Sequence, residues 1–175
     1  MVGNNIRIYA LVAAIACAAL FRLVPHPPNF SPIAAMALFS GAYLPRRALA
    51  FAAPLAALLL SDLVLGFYAG MNFVYFAVAL TVVIGWAISR RRTPLRIGAA
   101  AIAGSVLFYV LTNFGTWLFS GLYPRTLDGL IACYVAAIPF FQNTVAGDLV
   151  FSALLFGGFA LAERAVPKLR EAQLA

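Results

Sequence analysis

Two aspartates in apolar surroundings are the residues of this chain best suited to chemistry. Asp62 lies near the end of one apolar run and Asp148 near the start of another, while Arg22 and the single histidine, His26, belong to a proline-rich segment. An ionisable side chain within an apolar run is costly to bury, so it indicates either ligand recognition or an internal ion pair. Both interpretations stay open, because Arg22 and Arg125 are available as partners.

Further polar side chains lie close to the same ends of the apolar runs. Asn29 follows His26, Asn113 and Trp117 come late in one run, and Asn143 opens another. Two of these have structural alternatives, since His26 can hydrogen-bond within its proline-rich loop and Trp117 can anchor at a membrane interface. The set that we predict to bind a substrate is Arg22, His26, Asn29, Asp62, Asn113, Trp117, Asn143 and Asp148.

Several common chemistries lack their sequence patterns. The chain has no GxxxxGK[ST] phosphate loop and no HExxH or Cys/His spacing for zinc. Cys17 and Cys133 lie in separate apolar runs, which is typical of buried thiols. Two facing aspartates suit a membrane aspartyl hydrolase, but the GxGD context is absent around Asp62 and Asp148. We therefore expect no catalytic residues, no metal and no cofactor, and a protein that is not an enzyme.

The elements that must position these side chains are membrane helices. Of the 175 residues, 65% are hydrophobic and 10% are charged, against about 25% charged in an average soluble domain. Because a transmembrane helix needs about 20 apolar residues, the chain has room for six spans but for no large extramembrane domain. Its net charge of +7 comes from basic clusters between apolar runs, which indicates membrane topology and not nucleic-acid binding.

Apolar runs bounded by charges, proline and glycine predict an all-α integral membrane domain over residues 1–175. The second run is about 21 Å long as a helix, so we expect it in a protein-lined or locally thin region. A further stretch, 127–141, is too short to span and contains Pro139, which predicts an external or re-entrant helix capping the bundle. The six predicted spans are 6–23, 31–44, 48–67, 72–89, 97–119 and 143–163.

The distribution of basic residues orients this six-helix bundle. With the amino terminus inside, ten of the twelve lysines and arginines lie on the cytoplasmic side, and Arg22 and Arg125 lie outside. A seventh span at 127–141 would weaken this asymmetry, so both termini are predicted to be cytoplasmic. The polar side chains then gather in the outer leaflet above apolar inner halves. A channel needs polar lining through both leaflets, so the pattern favours an outward-facing pocket.

Small residues recur at helical spacing in the first span, at Ala10, Ala14 and Ala18. Such a stripe lets two helices approach closely in lipid, where van der Waals packing replaces the hydrophobic drive. It predicts a docking surface for another helix. That helix belongs either to a partner protein or to the chain itself, since residues 52–57 of the third span are also rich in alanine.

Four segments carry a resemblance to a known family: residues 22–39, 60–62, 112–115 and 136–148. Together they resemble a small uncharacterised family of bacterial integral-membrane proteins, and the resemblance covers nearly the whole chain. That family is in turn similar to the substrate-binding S components of energy-coupling-factor (ECF) transporters, in its size, its six spans and its alanine-rich first helix. The resemblance implies a bacterial cytoplasmic (inner) membrane as the location.

The resemblance to S components implies a function. These six-helix proteins bind vitamins or metal ions from outside and topple within an energising module, a transmembrane subunit plus ATPases that contacts the first helix. Here that implies docking at Ala10, Ala14 and Ala18, with the 24–31 loop and the 127–141 helix covering the site. No amino-terminal metal-binding histidine is present, so an organic micronutrient such as a vitamin is the expected substrate. The alternatives are a non-transporting scaffold or assembly protein and a membrane enzyme using Asp62 and Asp148.

Overall fold

The computed structural model describes residues 2–170, and this part of the chain is helical, without strands. Three short connections, at 44–46, 66–70 and 89–93, and two longer ones, at 24–32 and 120–126, join its helices. The helices are α1 (Val2–Leu20), α2 (Ile33–Tyr43), α3 (Arg47–Leu65), α4 (Met71–Ile88), α5 (Pro94–Phe119), α6 (Leu127–Ser152) and α7 (Gly158–Ala165).

Five of the helical stretches are long and apolar enough to cross a membrane, which makes this a multi-pass membrane protein. They are Asn5–Leu23, α3, α4, α5 and the continuous stretch Leu127–Ala165. Large apolar side chains cover their outer surfaces, among them Leu60, Val64 and Leu95. In water such a surface would drive aggregation, whereas in a bilayer it faces lipid.

The second helix, α2, lies at the centre of the bundle. It has 11 residues, is buried from Ala34 to Tyr43, and packs against α1, α3, α4, α5 and α6. At about 1.5 Å per residue it is too short to cross a hydrocarbon core of about 30 Å unaided, in agreement with the protein-lined position expected for it. Glycines bring it against α4: a Cβ added to Gly85 would lie 2.3 Å from the carbonyl oxygen of Leu38.

The separate capping helix predicted at 127–141 is wrong. Helix α6 continues through Pro139 and joins α7 through a π-helical turn at Ala153–Gly157, so that 127–165 forms one 39-residue helix. Proline removes a single backbone donor, and packing against α5 compensates: the ring of Tyr109 contacts those of Tyr134 and Phe141, on either side of the proline. At about 58 Å this helix is longer than a hydrocarbon core of about 30 Å, so part of it extends beyond the core.

One end of the bundle, here called the arginine end, collects basic residues from distant parts of the chain. Arg7 of α1 forms an ion pair with Glu163 of α7 at 2.5 Å. Arg92, before α5, donates a hydrogen bond of 2.8 Å to the carbonyl oxygen of Ala42 and lies over the ring of Tyr43. Arg7 and Arg92, two of the ten basic residues predicted to lie on the cytoplasmic side, thus lie at the same end of the bundle. The opposite end, which contains Arg22 and the 24–32 segment, is here called the pocket end.

Candidate functional site

A cavity of about 200 Å³ opens at the pocket end, beneath the 24–32 segment. Four of the eight predicted substrate-binding residues line it, namely Arg22, His26, Asn29 and Asp148. Its remaining walls come from α2 to α6 and the connections between them. These additional lining residues are Ser31, Ile33, Ala34, Leu65, Tyr68, Val74, Phe108 and Thr144.

Asp62 belongs to a closed charge network beside the cavity. Its side chain is 1% exposed, and Oδ1 accepts a hydrogen bond of 2.8 Å from Nη2 of Arg22. Oδ2 accepts a second bond of 2.8 Å from the hydroxyl of Tyr75, and Nη1 of Arg22 donates to Ser61 and to the carbonyl oxygen of Leu58. The sequence allowed an internal ion pair for Asp62, and the structure forms it with Arg22. Both carboxylate oxygens of Asp62 accept a hydrogen bond from within the chain.

Asp148 has quite different surroundings, although its exposed fraction is only 2%. Its Oδ2 accepts a hydrogen bond of 2.6 Å from the hydroxyl of Ser105. Within residues 2–170 no basic side chain forms an ion pair with it; Arg125, the other candidate partner, donates to the carbonyl oxygen of Leu118 instead. A buried carboxylate without a cation therefore borders the cavity.

Two further hydroxyl groups, those of Ser31 and Thr144, lie on the cavity wall and were not among the predicted site residues. The hydroxyl of Ser31 is buried and has no hydrogen-bond partner within the described residues. The hydroxyl of Thr144, one helical turn before Asp148, donates to the carbonyl oxygen of Phe140 at 3.1 Å. The sequence spacing could have placed Thr144 in the site, because Thr144 and Asp148 are four residues apart and therefore share a helix face.

Aromatic stacking and one amide hold the 24–32 segment over the cavity. The ring of His26 stacks on Phe21 with centroids 5.6 Å apart, and its Nδ1 lies 3.0 Å from the carbonyl oxygen of Pro27. Nδ2 of Asn143 donates to the carbonyl oxygen of Pro28 at 3.0 Å, so Asn143 positions the segment without lining the cavity. Asn29 takes a left-handed backbone conformation, with φ at 63°, that turns the chain into α2.

The two remaining predicted residues lie away from the cavity, between α5 and α6. Nδ2 of Asn113 donates to the carbonyl oxygen of Tyr109 at 2.8 Å. Nε1 of Trp117 donates to the carbonyl oxygen of Pro124 at 3.0 Å, and the thiol of Cys133 donates to the carbonyl oxygen of Asn113. The structure therefore does not bring Asn113 and Trp117 together with the other predicted site residues.

Tyr68, in the connection between α3 and α4, also lines the cavity. Burial raises the pKa of its phenol, and the neighbouring Asp62 carboxylate raises the pKa further. Its hydroxyl therefore stays protonated near neutral pH and is available as a hydrogen-bond donor. In the part of the chain that the structure describes, no group of three histidine, cysteine or acidic residues is arranged to hold a metal ion.

The alanine stripe of α1 is half-buried against the chain's own core. Ala10, Ala14 and Ala18 all pack against it, and the first two border a shallow groove beside Leu155 and Phe159. On the same helix the neighbouring residues Ala13 and Ala16 are more exposed. The stripe thus takes part in internal packing, and the more accessible small residues of α1 lie next to it.

The fold and the cavity together define a class, an α-helical multi-pass membrane protein with a ligand-sized cavity at one end of its bundle. Within that class, the chain belongs to DUF6580, a family of unknown function whose profile matches residues 3–169. No curated protein and no solved structure matches it. The predicted membership of an uncharacterised membrane family is confirmed, whereas the similarity to ECF S components stays a prediction.

Proposed function

We propose that this protein is a substrate-binding membrane transport protein, similar to ECF S components, that takes up a small organic micronutrient such as a vitamin. The observation that carries the proposal is the cavity of about 200 Å³ with the buried Asp148 on its wall. A buried carboxylate is costly unless a partner compensates it, so its place beside an open cavity favours ligand recognition over a purely structural role.

The contrast between the two ends of the bundle supports the direction of uptake. Basic residues concentrate at the arginine end, which the positive-inside rule assigns to the cytoplasm. The cavity would then open to the outside of the bacterial cytoplasmic membrane, with both termini inside and six crossings. The 24–32 segment would cover the bound substrate, because aromatic stacking and Asn143 hold it above the cavity.

Docking to an energising module, a transmembrane subunit plus ATPases, belongs to the same proposal. The face that would dock is α1, through Ala10, Ala14 and Ala18 or through the more exposed Ala13 and Ala16 beside them. Small residues on a lipid-facing helix suit close helix contact. The proposal involves the bilayer and a small molecule, and no nucleic acid.

A scaffold or assembly role is the second candidate, and one observation favours it. The Arg22–Asp62–Tyr75 network satisfies both Asp62 oxygens internally, as a purely structural polar cluster would. An enzyme is less well supported, because Asp62 and Asp148 bind different partners and do not hydrogen-bond to each other, as two carboxylates sharing a proton would.

Native mass spectrometry of the full-length protein, purified from membranes of its host, tests the uptake proposal. We expect one small molecule per chain, lost on Ala34→Leu, which fills the cavity, and kept on Ala52→Leu, which adds the same side chain to an exposed position. As a second measurement, fractions of a host metabolite extract are tested for thermal stabilisation of the wild-type protein. If no molecule is retained and no fraction stabilises the wild type, the uptake proposal fails.

A further inference from the structure

We infer that the substrate of this cavity is a small organic monocation, such as a protonated amine or a quaternary ammonium, whose charged group binds Asp148. This inference rests on the proposed function, since it names the chemical class of the molecule taken up. Its basis is the charge balance of the cavity wall, the arrangement of polar and aromatic groups around it, and its size.

The charge balance comes from the two aspartates together. Arg22 lines the cavity but is already paired with Asp62 at 2.8 Å, so these two charges cancel. Asp148 has only the hydroxyl of Ser105 as a partner within the described residues. An ionised Asp148 therefore leaves the cavity wall with one uncompensated negative charge, which a cationic ligand would neutralise.

An anionic ligand is the obvious alternative, because Arg22 is a common anion-binding residue. Both terminal nitrogens of its guanidinium are engaged, Nη2 with Asp62 and Nη1 with the Ser61 hydroxyl. An anion would have to compete with Asp62 for the guanidinium group of Arg22. It would also lie in the same cavity as the negatively charged Asp148, which would repel it. Electrostatics therefore favours a cation at the Asp148 side.

The other lining groups suit a cation that carries a polar substituent. Phe108 and Tyr68 also line the cavity, and aromatic side chains attract organic cations. Ser31 also lines the cavity, and its buried hydroxyl, which has no hydrogen-bond partner within residues 2–170, can bond to a hydroxyl or N–H group of the ligand. A cavity of about 200 Å³ lies below the roughly 300–1,000 Å³ of sites for drug-sized ligands, which indicates a small molecule.

The test compares cations with neutral molecules of the same shape, on the full chain in lipid nanodiscs. The probe pairs are choline against 3,3-dimethyl-1-butanol and benzylamine against benzyl alcohol, with binding measured by calorimetry. We expect the cation of at least one pair to bind at least tenfold more tightly than its neutral partner. Equal binding within both pairs, or no binding by either cation, would overturn the inference without requiring any variant.

Two variants then assign the effect to Asp148. Asp148→Asn is expected to abolish the preference for the cation, and Asp128→Asn, the same change at an exposed position of the same helix, is expected to keep it. A preference that survives in folded Asp148→Asn protein would contradict the assignment. Mass spectrometry separates the two proposals: a retained neutral or anionic metabolite would overturn the charge inference alone, whereas no retained or stabilising molecule would overturn the uptake function.

Discussion

Two buried aspartates at the same end of this bundle have opposite surroundings. Asp62 is held by Arg22 and Tyr75, so its charge is neutralised within the protein. Asp148 is equally buried, but its one hydrogen-bond partner among residues 2–170 is the hydroxyl of Ser105, and it borders the cavity. Similar burial thus accompanies two different environments: one carboxylate is paired within the chain, and the other is the group that we propose binds a ligand.

The largest effect is expected from removing the cation of the closed network. Arg22→Met would leave Asp62 buried without its partner, which costs about 3–5 kcal/mol. The loss should appear as reduced thermal stability of the detergent-purified protein. Arg125→Met is the control, because Arg125 is exposed and makes one hydrogen bond to a backbone carbonyl. Equal stability of the two variants would contradict a structural role for the Arg22–Asp62 pair.

Neutralising each aspartate in turn compares the two sites directly. Asp62→Asn leaves Arg22 without its counter-charge and is expected to destabilise the fold by about 3 kcal/mol. Asp148→Asn removes no ion pair and can keep the bond to Ser105, so its effect on stability should stay within about 1 kcal/mol. The free energy of unfolding, measured without ligand, distinguishes the variants. A larger loss of stability for Asp148→Asn than for Asp62→Asn would contradict the structural role assigned to Asp62.

Removing the hydroxyl group that donates to each aspartate, Tyr75 for Asp62 and Ser105 for Asp148, tests the difference between the two sites further. Tyr75→Phe deletes a hydrogen bond to a paired, charged carboxylate and should cost about 1.5–3 kcal/mol of stability. Ser105→Ala deletes the hydroxyl that donates to Asp148, so a stability loss of comparable size is expected, together with weaker ligand binding that Tyr75→Phe should not cause. Parallel thermal shifts with and without the retained molecule test this, and ligand binding unaffected by Ser105→Ala would argue against a positioning role for Ser105.

The smallest effect is expected at the segment that covers the cavity. Asn143→Ala removes the amide that donates to the carbonyl oxygen of Pro28 and should cost about 1 kcal/mol. Hydrogen exchange over residues 24–32 should then increase, while exchange in α4 stays unchanged. The control is Gln142→Ala, an exposed neighbour of similar chemistry. Identical exchange in the two variants would show that stacking on Phe21 is sufficient to hold the segment.

Much of the fold could be predicted because it depends on local sequence. The long apolar helices follow from unbroken apolar runs, and the short length of α2 predicted either a locally thin or a protein-lined region, of which the structure shows the second. The break at Pro139 was predicted wrongly, since a single missing donor is outweighed by packing on both sides of it. Asn113 and Trp117 could not be excluded from the site, because their helix faces depend on how α5 packs against α6.

The sequence by itself determined the membrane class, the helices up to residue 119, and the choice of Arg22, His26, Asn29 and Asp148 as candidates. These follow from composition and from the cost of burying polar groups, which any apolar environment imposes. Only the tertiary structure decided which aspartate Arg22 would neutralise. That choice depends on distances of a few ångströms between the turn that follows α1 and the helices α3 and α6, which the sequence separates by dozens of residues. It pairs Asp62 and leaves Asp148 facing the cavity.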